Sequence, residues 1–134
     1  HFIAGLGTSG TFVGTTRRLK EFNPRIRCIS FQPDGPFHGL EGMKHMETAI
    51  VPGIYDPALA DEDLAVATEN AYRLVKTMAR KEGLLVGVSS GAAIWVALEV
   101  ARRVPRSEGA VMVIICPDGA DKYLSERFWD EDQD

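Results

Sequence analysis

The sequence has 134 residues, of which 45% are hydrophobic and 25% charged, so one globular domain is expected. The net charge of −4 argues against nucleic acid or an anionic membrane as the main partner. No apolar run approaches the roughly 20 residues needed to span a bilayer, and the first residues do not resemble a signal peptide. The two cysteines lack paired zinc spacing, so no metal site is expected. Both thiols are predicted to be free and buried in a reducing compartment, and we therefore expect a cytoplasmic protein.

Apolar runs alternate with helical patterns along the chain. The first run leads through a glycine-rich turn into a helix that ends at Asn23-Pro24. A second helix, with Thr68 as its predicted N-cap, ends at Gly83, and a third covers 92–104 and is apolar nearly all round. The predicted strands cover residues 1–5, 26–31, 64–67, 84–88 and 110–116. This order predicts an α/β fold in which a parallel sheet is covered by helices on both faces, a three-layer arrangement.

Two parts of the chain show no clear period. Residues 36–62 are rich in proline and glycine and predict an irregular surface segment, in which Gly39 and Gly42 are expected to have unusual backbone geometry. The acidic tail, residues 129–134, is expected to be frayed.

The first turn with a chemical signature is GLGTSGT, residues 5–11. Several small residues between a strand and a helix let backbone N–H groups converge on one point, where the helix dipole adds positive potential. Such a turn binds a phosphate without arginine or lysine. Thr8, Ser9 and Thr11 add hydroxyl donors, and a turn without a ligand needs fewer glycines and hydroxyls than this.

The same residues also match a dinucleotide fingerprint. Gly5, Gly7 and Gly10 fit G-x-G-x-x-G, and Asp34 follows the second strand, where a ribose-binding acid lies in such folds. A Rossmann domain that binds NAD is therefore an alternative hypothesis. The fingerprint is weak by itself, and it does not account for the second turn.

That second turn is GVSSGAA, residues 87–93, again between an apolar run and an apolar helix. Both turns are expected at the carboxyl ends of parallel strands, where ligands bind, so they could hold two ends of one small molecule. Ser90 is interpreted as a helix cap, whereas Ser89 is either a cap or a ligand-binding residue.

Four motifs resemble those of the cysteine synthase and cystathionine β-synthase family. GTSGT is similar to its phosphate loop, and EGLLVGVSSGAA to the segment whose serine faces the pyridine nitrogen of pyridoxal phosphate (PLP). PDGADKYLSE resembles its closing motif, and GLEGMKHM its glycine-bearing substrate segment. The motifs occur in family order and cover essentially the whole chain. The resemblance implies the C-terminal part of a PLP enzyme of fold type II, the tryptophan synthase β-like fold.

The resemblance also implies roles for individual residues. The cofactor-binding residues would be Gly7, Thr8, Ser9, Gly10 and Thr11 at the phosphate and Ser89 at the ring nitrogen. Gly42 would line the substrate site, and Lys44 occupies the position of an arginine in sulfhydrylases of the B type. Three departures, at Ser9, Ala120 and Glu126, fall within the matching motifs.

A serine at the ring nitrogen favours a particular chemistry. A neutral hydroxyl does not enforce protonation of the ring, so the ring is a weaker electron sink than it would be beside an aspartate. Loss of the α-proton coupled to departure of a group at Cβ is then favoured over transamination.

The lysine that forms the Schiff base in such enzymes is not recognisable in this sequence. Lys20, Lys76 and Lys81 fall on predicted helices and Lys122 in the closing motif. The resemblance implies that this lysine belongs to an N-terminal portion, so no catalytic residue is assigned, and the chain is expected to be a fragment, a split product or a degenerate paralogue, inactive alone.

The function implied for the parent enzyme is L-cysteine synthesis by β-replacement, from an O-acetylserine-type amino acid and sulfide or another sulfur donor. The classification implied is transferase or lyase, in a homo-oligomer, most simply a homodimer. The NAD-binding Rossmann domain and a non-catalytic remnant of a PLP fold remain as alternatives.

Overall fold

The computed structural model describes residues 1–131 and contains a four-stranded parallel sheet. Its strands are β1 (Phe2–Gly5), β2 (Cys28–Pro33), β3 (Glu62–Val66) and β4 (Val113–Ile114), in the order β3-β2-β1-β4. All three pairings are parallel, and Ile3 of β1 lies opposite Ile29 on one side and Ile114 on the other. The predicted α/β fold is confirmed.

Three main helices accompany the sheet. They are α1 (Gly10–Phe22), α2 (Thr68–Thr77), which continues as a π-helical turn over Met78–Glu82, and α3 (Val88–Arg103). Short 3₁₀ turns cover Arg106–Glu108, Ala120–Tyr123 and Arg127–Trp129. Helix α1 ends at Phe22 with Asn23 as its C-cap, in agreement with the predicted stop at Asn23-Pro24. Gly83, with φ +67°, ends the π-helical turn in the left-handed conformation that glycine adopts readily.

Side chains of β1 alternate between two cores, which makes the sheet the middle of three layers. Phe2 and Ala4 pack in one cluster with Phe12 of α1. Ile3, which points the other way, belongs to a larger cluster with residues of α2 and α3. The helices therefore lie on opposite faces of the sheet, because right-handed crossovers that run in opposite directions along a sheet cover opposite faces.

The prediction of a strand over residues 84–88 is wrong. Val86 makes a single antiparallel bridge to Gly119, and α3 already begins at Val88. Leu84 and Leu85 are exposed. The place beside β1 is taken by β4, so this apolar run lies outside the parallel sheet and pairs only with the closing motif.

Two predicted helix caps are also wrong. The N-cap of α2 is Ala67, and the Thr68 hydroxyl accepts the backbone N–H of Gly39 at 2.9 Å. The N-cap of α3 is Gly87, so Ser90 lies within the helix and does not cap it. The Thr68 hydroxyl therefore forms a tertiary hydrogen bond and does not cap the helix as the sequence pattern predicts.

Predictions for single cysteines and glycines were partly correct. Cys28 is buried as expected, whereas Cys116 is exposed because the chain leaves β4 two residues earlier. Gly42 has φ +82°, but Gly39 has no positive φ. Gly39 instead allows a close approach, since a Cβ there would lie 2.1 Å from the Tyr72 hydroxyl oxygen.

Residues 1–131 contain neither a membrane-spanning helix nor a metal-binding cluster. Each helix in this range is too short or too polar to span a bilayer, and no group of acidic, histidine or cysteine side chains there is arranged to hold a metal. The end of the acidic tail, residues 132–134, lies outside the described residues, whereas Arg127–Trp129 form a 3₁₀ turn.

Candidate active site

A cavity of about 390 Å³ opens at the carboxyl end of β1. Residues from several separate parts of the chain meet there: the loop before α1, the segment around Gly42, the start of α3 and the closing motif. The lining residues are Ala4, Gly5, Gly7, Thr8, Ser9, Thr11, Phe31, Glu41, Gly42, Met43, Ser89, Ile115, Pro117, Asp118 and Lys122. The structure thus brings the two glycine-rich turns of the sequence to one cavity.

The loop before α1 has a restricted geometry. A Cβ at Gly7 would lie 2.4 Å from the carbonyl oxygen of Gly42, so only glycine fits. Ser9, the N-cap of α1, has φ +70°, a left-handed conformation that is costly for a residue with a side chain. Its hydroxyl is buried and has no hydrogen-bond partner among residues 1–131. Gly10 starts α1 between two lining residues but does not itself line the cavity.

The segment around Gly42 is fixed to the sheet by backbone hydrogen bonds. The N–H of Lys44 donates to the carbonyl of Leu6 at 2.9 Å, and the N–H of Met46 donates to Gln32 Oε1 at 2.8 Å. These bonds hold Gly42 against Gly7. The Lys44 ammonium donates to the carbonyl of Ile50 at 3.2 Å, and Lys44 is not among the residues that line the cavity.

Ser89 lies in the first turn of α3 and lines the cavity, although it is only 7% exposed. Ser90 is fully buried and does not line the cavity, and within the described part of the chain its hydroxyl has no partner. Of the two serines, Ser89 is therefore the one placed to meet a ligand.

Three charged residues of the cavity were missed in the sequence: Glu41, Asp118 and Lys122. The Tyr123 hydroxyl donates to Asp118 Oδ2 at 2.8 Å, while Asp118 Oδ1 is buried and no described residue donates to it. Burial, and then the hydrogen bond to Asp118 and its charge, raise the pKa of Tyr123, so this hydroxyl keeps its proton. Motifs containing all three residues were recognised, but nothing in the residue pattern showed which side chains face the cavity.

The site can bind a small anion at one end and a polar group at the other. The first turn of α1 supplies backbone N–H groups without helix partners, and this turn has no acidic residue. Thr8, Ser9 and Thr11, which all carry hydroxyls, line the same end. The geometry therefore suits a compact ligand that carries a phosphate.

Comparison with known proteins defines the class. The sequence pattern of the family described as pyridoxal-phosphate dependent enzyme matches residues 1–118, and the chain belongs to this family. The chain corresponds to the C-terminal half of the cysteine synthases that it matches. The family does not favour the alternative of an NAD-binding Rossmann domain, and Asp34, its candidate ribose-binding residue, does not line the cavity.

Two curated relatives show which members of this family the chain resembles. The chain is 48% identical to a cysteine synthase of Aquifex aeolicus over 132 residues, which is 98% of this chain and 40% of that protein. It is 42% identical to the O-acetylserine dependent cystathionine beta-synthase of Bacillus subtilis, covering 96% of this chain and 43% of that protein. Less than half the length of either relative is therefore represented here.

Solved structures agree with the fold. The cysteine synthase of Entamoeba histolytica superposes with a TM-score of 0.88 at 29% identity, over 99% of this chain and 41% of that one. The O-acetylserine dependent cystathionine beta-synthase of Helicobacter pylori has a TM-score of 0.85 at 38% identity, over 96% and 43%. These likenesses confirm the assignment to fold type II.

The residues present fit the phosphate end of pyridoxal phosphate. The Ser9 hydroxyl is buried and has no partner among residues 1–131, so it remains able to donate to a ligand at the N-terminus of α1. The close approach of Gly7 to Gly42 holds this loop in place. The family to which the chain belongs uses this cofactor.

Proposed function

We propose that this chain forms the cofactor-phosphate side of a pyridoxal-phosphate-dependent cysteine synthase. The parent enzyme would replace the leaving group at Cβ of an O-acetylserine-type amino acid with a sulfur nucleophile, giving L-cysteine. The observation that carries the proposal is the convergence of the loop at residues 7–11, Gly42 and Ser89 on one cavity. The names of the relatives, cysteine synthase and O-acetylserine dependent cystathionine beta-synthase, support the substrate class.

In this proposal the loop binds the phosphate. Gly7, Thr8, Ser9, Gly10 and Thr11 would surround it with backbone N–H groups and hydroxyls at the positive end of α1. Because no lysine or arginine lies in this loop, the binding energy would come from neutral donors held in a fixed geometry.

Ser89 would hold the opposite end of the ligand. When bound, pyridoxal phosphate supplies a ring that withdraws electrons from the substrate Cα. The Ser89 hydroxyl can donate or accept one hydrogen bond there without imposing a charge of its own. Its burial restricts the competing water, so the orientation of the ring would be set by the protein.

The substrate side is assigned to Gly42 and Lys44. Gly42 lines the cavity next to Gly7 and, with φ +82°, presents backbone without a side chain. Lys44 would have to leave the carbonyl of Ile50 to meet the substrate or the sulfur donor. Only the side chain would have to move, because the backbone of Lys44 stays tied to Leu6.

The Schiff-base lysine would come from a portion of the parent protein that precedes residues 1–134. Within residues 1–131, Lys122 is the one lysine that lines the cavity. Lys20, which is not among the lining residues, is paired with Asp61. Exposed apolar side chains beside β4 and the closing motif, Leu85, Val111 and Val113, would pack against that portion. A cytoplasmic homodimer is the proposed form of the whole enzyme.

The test compares the parent protein with the chain of residues 1–134, using O-acetylserine and sulfide. We expect turnover by the parent and none by the chain, since general acid–base help alone contributes roughly 10²–10⁴-fold. Borohydride reduction after addition of PLP, followed by mass spectrometry, locates any Schiff base. Turnover by the chain, or a stoichiometric reduced adduct on Lys122, would contradict the proposed division of labour.

The identity of the cofactor is tested by titration. PLP is expected to bind in competition with inorganic phosphate, whereas NAD is not expected to bind. Tighter binding of NAD than of PLP, lost in Asp34→Ala, would support the Rossmann alternative instead.

A further inference from the structure

Two helix N-termini contribute to the same cavity. Thr11 in the first turn of α1 and Ser89 in the first turn of α3 both line it. The N–H groups of a first helical turn lack partners within the helix, and the dipole adds positive potential to them. Neither helix has an acidic residue in its own first turn. A ligand that carries one phosphate would therefore meet two similar anion sites unless another group distinguishes them.

Asp118 is placed to make this distinction. The N–H of Gly87, the N-cap of α3, donates to the backbone carbonyl of Asp118 at 3.0 Å. A Cβ at Gly87 would lie 1.8 Å from Asp118 Oδ1, so the carboxylate is packed against the bare Cα of Gly87. The closing motif thus delivers to the start of α3 the negative charge that the helix itself lacks.

The environment of this carboxylate keeps its charge effective. Oδ2 accepts the Tyr123 hydroxyl, and Oδ1 is buried with no partner in residues 1–131, although Asp118 lines the cavity. In a partly enclosed site, charges interact more strongly than in bulk water. Glu41 also lines the cavity, on the side of Gly42, but it is an exposed residue, so water and salt screen its charge.

We propose that Asp118 is a specificity-determining residue that keeps anionic groups away from the Ser89 end of the cavity. A phosphate-bearing ligand is then accepted in one orientation, with its phosphate at residues 7–11 and its uncharged end at Ser89. Asp118 acts through its charge and transfers no proton. The inference rests on the proposed function in one respect, that the phosphate binds at residues 7–11.

The experiment titrates the protein and its Asp118→Asn variant with inorganic phosphate and follows the backbone amides by NMR. Asparagine has nearly the same shape and can still accept the Tyr123 hydroxyl, so the change removes the charge alone. We expect phosphate to shift the amides of Thr8 and Gly10 in both proteins. In the variant we expect a second phosphate, detected at the amides of Val88 and Ser89, with affinity there raised roughly tenfold.

Tyr123→Phe is the matched control, because it removes the hydrogen bond and keeps the carboxylate. It should bind no second phosphate. A second phosphate at Ser89 in the unmodified protein, or unchanged amides at Val88 and Ser89 in Asp118→Asn, would overturn the proposed role of Asp118. If the proposed phosphate site at residues 7–11 is wrong, phosphate will leave the amide shifts of Thr8 and Gly10 unchanged in every protein. The amide shifts of Val88 and Ser89 then still decide the role of Asp118.

Discussion

Gly7 and Gly42 approach so closely that a side chain on Gly7 would place its Cβ 2.4 Å from the carbonyl oxygen of Gly42. The contact joins the loop before α1 to the segment that follows β2, which forms another wall of the cavity. It is a contact with backbone, and the N–H of Lys44 ties that backbone to Leu6, so it cannot yield by rotation of a side chain.

Gly7→Ala is therefore expected to lower the free energy of unfolding by about 1–3 kcal/mol, the usual cost of forcing extra volume into a packed site. Gly14→Ala is the matched control, because Gly14 lies within α1 and a Cβ there meets nothing within 4 Å. Alanine in a helix interior stabilises by about 0.5–1 kcal/mol relative to glycine. Urea unfolding of the two variants should show opposite signs, and equal effects would contradict the steric role of Gly7.

Ser9 combines a strained backbone with a buried hydroxyl that finds no partner among the described residues. Ser9→Gly should relieve the left-handed conformation and raise the free energy of unfolding by about 1 kcal/mol. Ser9→Ala keeps the strain and removes only the hydroxyl. Both variants should bind phosphate several times more weakly if the hydroxyl is a ligand. Phosphate titration and urea unfolding check this, and undiminished phosphate binding by both variants would remove Ser9 from the proposed site.

Ser89 and Ser90 form a natural pair for mutation, since only Ser89 lines the cavity. Ser89→Ala should weaken PLP binding about fivefold, the value of one hydrogen bond of roughly 1 kcal/mol. Ser90→Ala should leave PLP binding unchanged and raise the free energy of unfolding by about 1 kcal/mol, because it removes a buried hydroxyl without a partner. Absorbance titration with PLP measures the first effect. The reverse pattern would show that the wrong serine has been assigned.

Asp61 makes the free energy of unfolding depend on pH in the acid range. Burial alone would raise its pKa, but the N–H of Cys28 and the ammonium of Lys20 outweigh burial, and the pKa of Asp61 is lowered from its usual 3.8. A carboxyl group with a lower pKa in the folded state stabilises the fold above its unfolded pKa and loses this effect as the pH falls through the folded value. We expect the free energy of unfolding to decline below about pH 3.8 partly through Asp61.

Asp61→Asn should be less stable at neutral pH and should decline less steeply in acid. The control is Glu21→Gln, which breaks the exposed ion pair with Arg18 and should change stability by less than about 1 kcal/mol. Thermal unfolding between pH 2 and pH 7 compares the three proteins. Parallel curves for Asp61→Asn and the unmodified protein would contradict the assignment.

Local patterns in the sequence were sufficient for most elements. The glycine-hydroxyl turn before α1, the Asn23 helix end and the Gly83 stop follow from backbone chemistry that acts over a few residues, and the structure contains each of them. The four family motifs likewise led to the PLP family, since a motif is a local pattern. The roles of Gly7 to Thr11, Ser89, Gly42 and Lys44 remain predictions.

Long-range pairing accounts for the differences. The apolar run at residues 84–88 has the composition of a strand, yet β4 occupies the place beside β1, so the run is left with one bridge to Gly119. Thr68 is a good cap by type, yet Gly39, 29 residues away in sequence, takes its hydroxyl. A local sequence pattern does not specify where such distant partners lie.

The sequence by itself determined the α/β class, the family and the two turns suited to a phosphate-bearing ligand, because these depend on residue type and short spacing. Only the tertiary structure decided which side chains face the ligand. It placed Asp118 against Gly87 at the start of α3, put Lys122 rather than Lys44 at the cavity wall, and separated Ser89 from its neighbour Ser90. The physical reason is that a cavity is formed where distant segments pack, and its charge depends on which of their side chains turn inward.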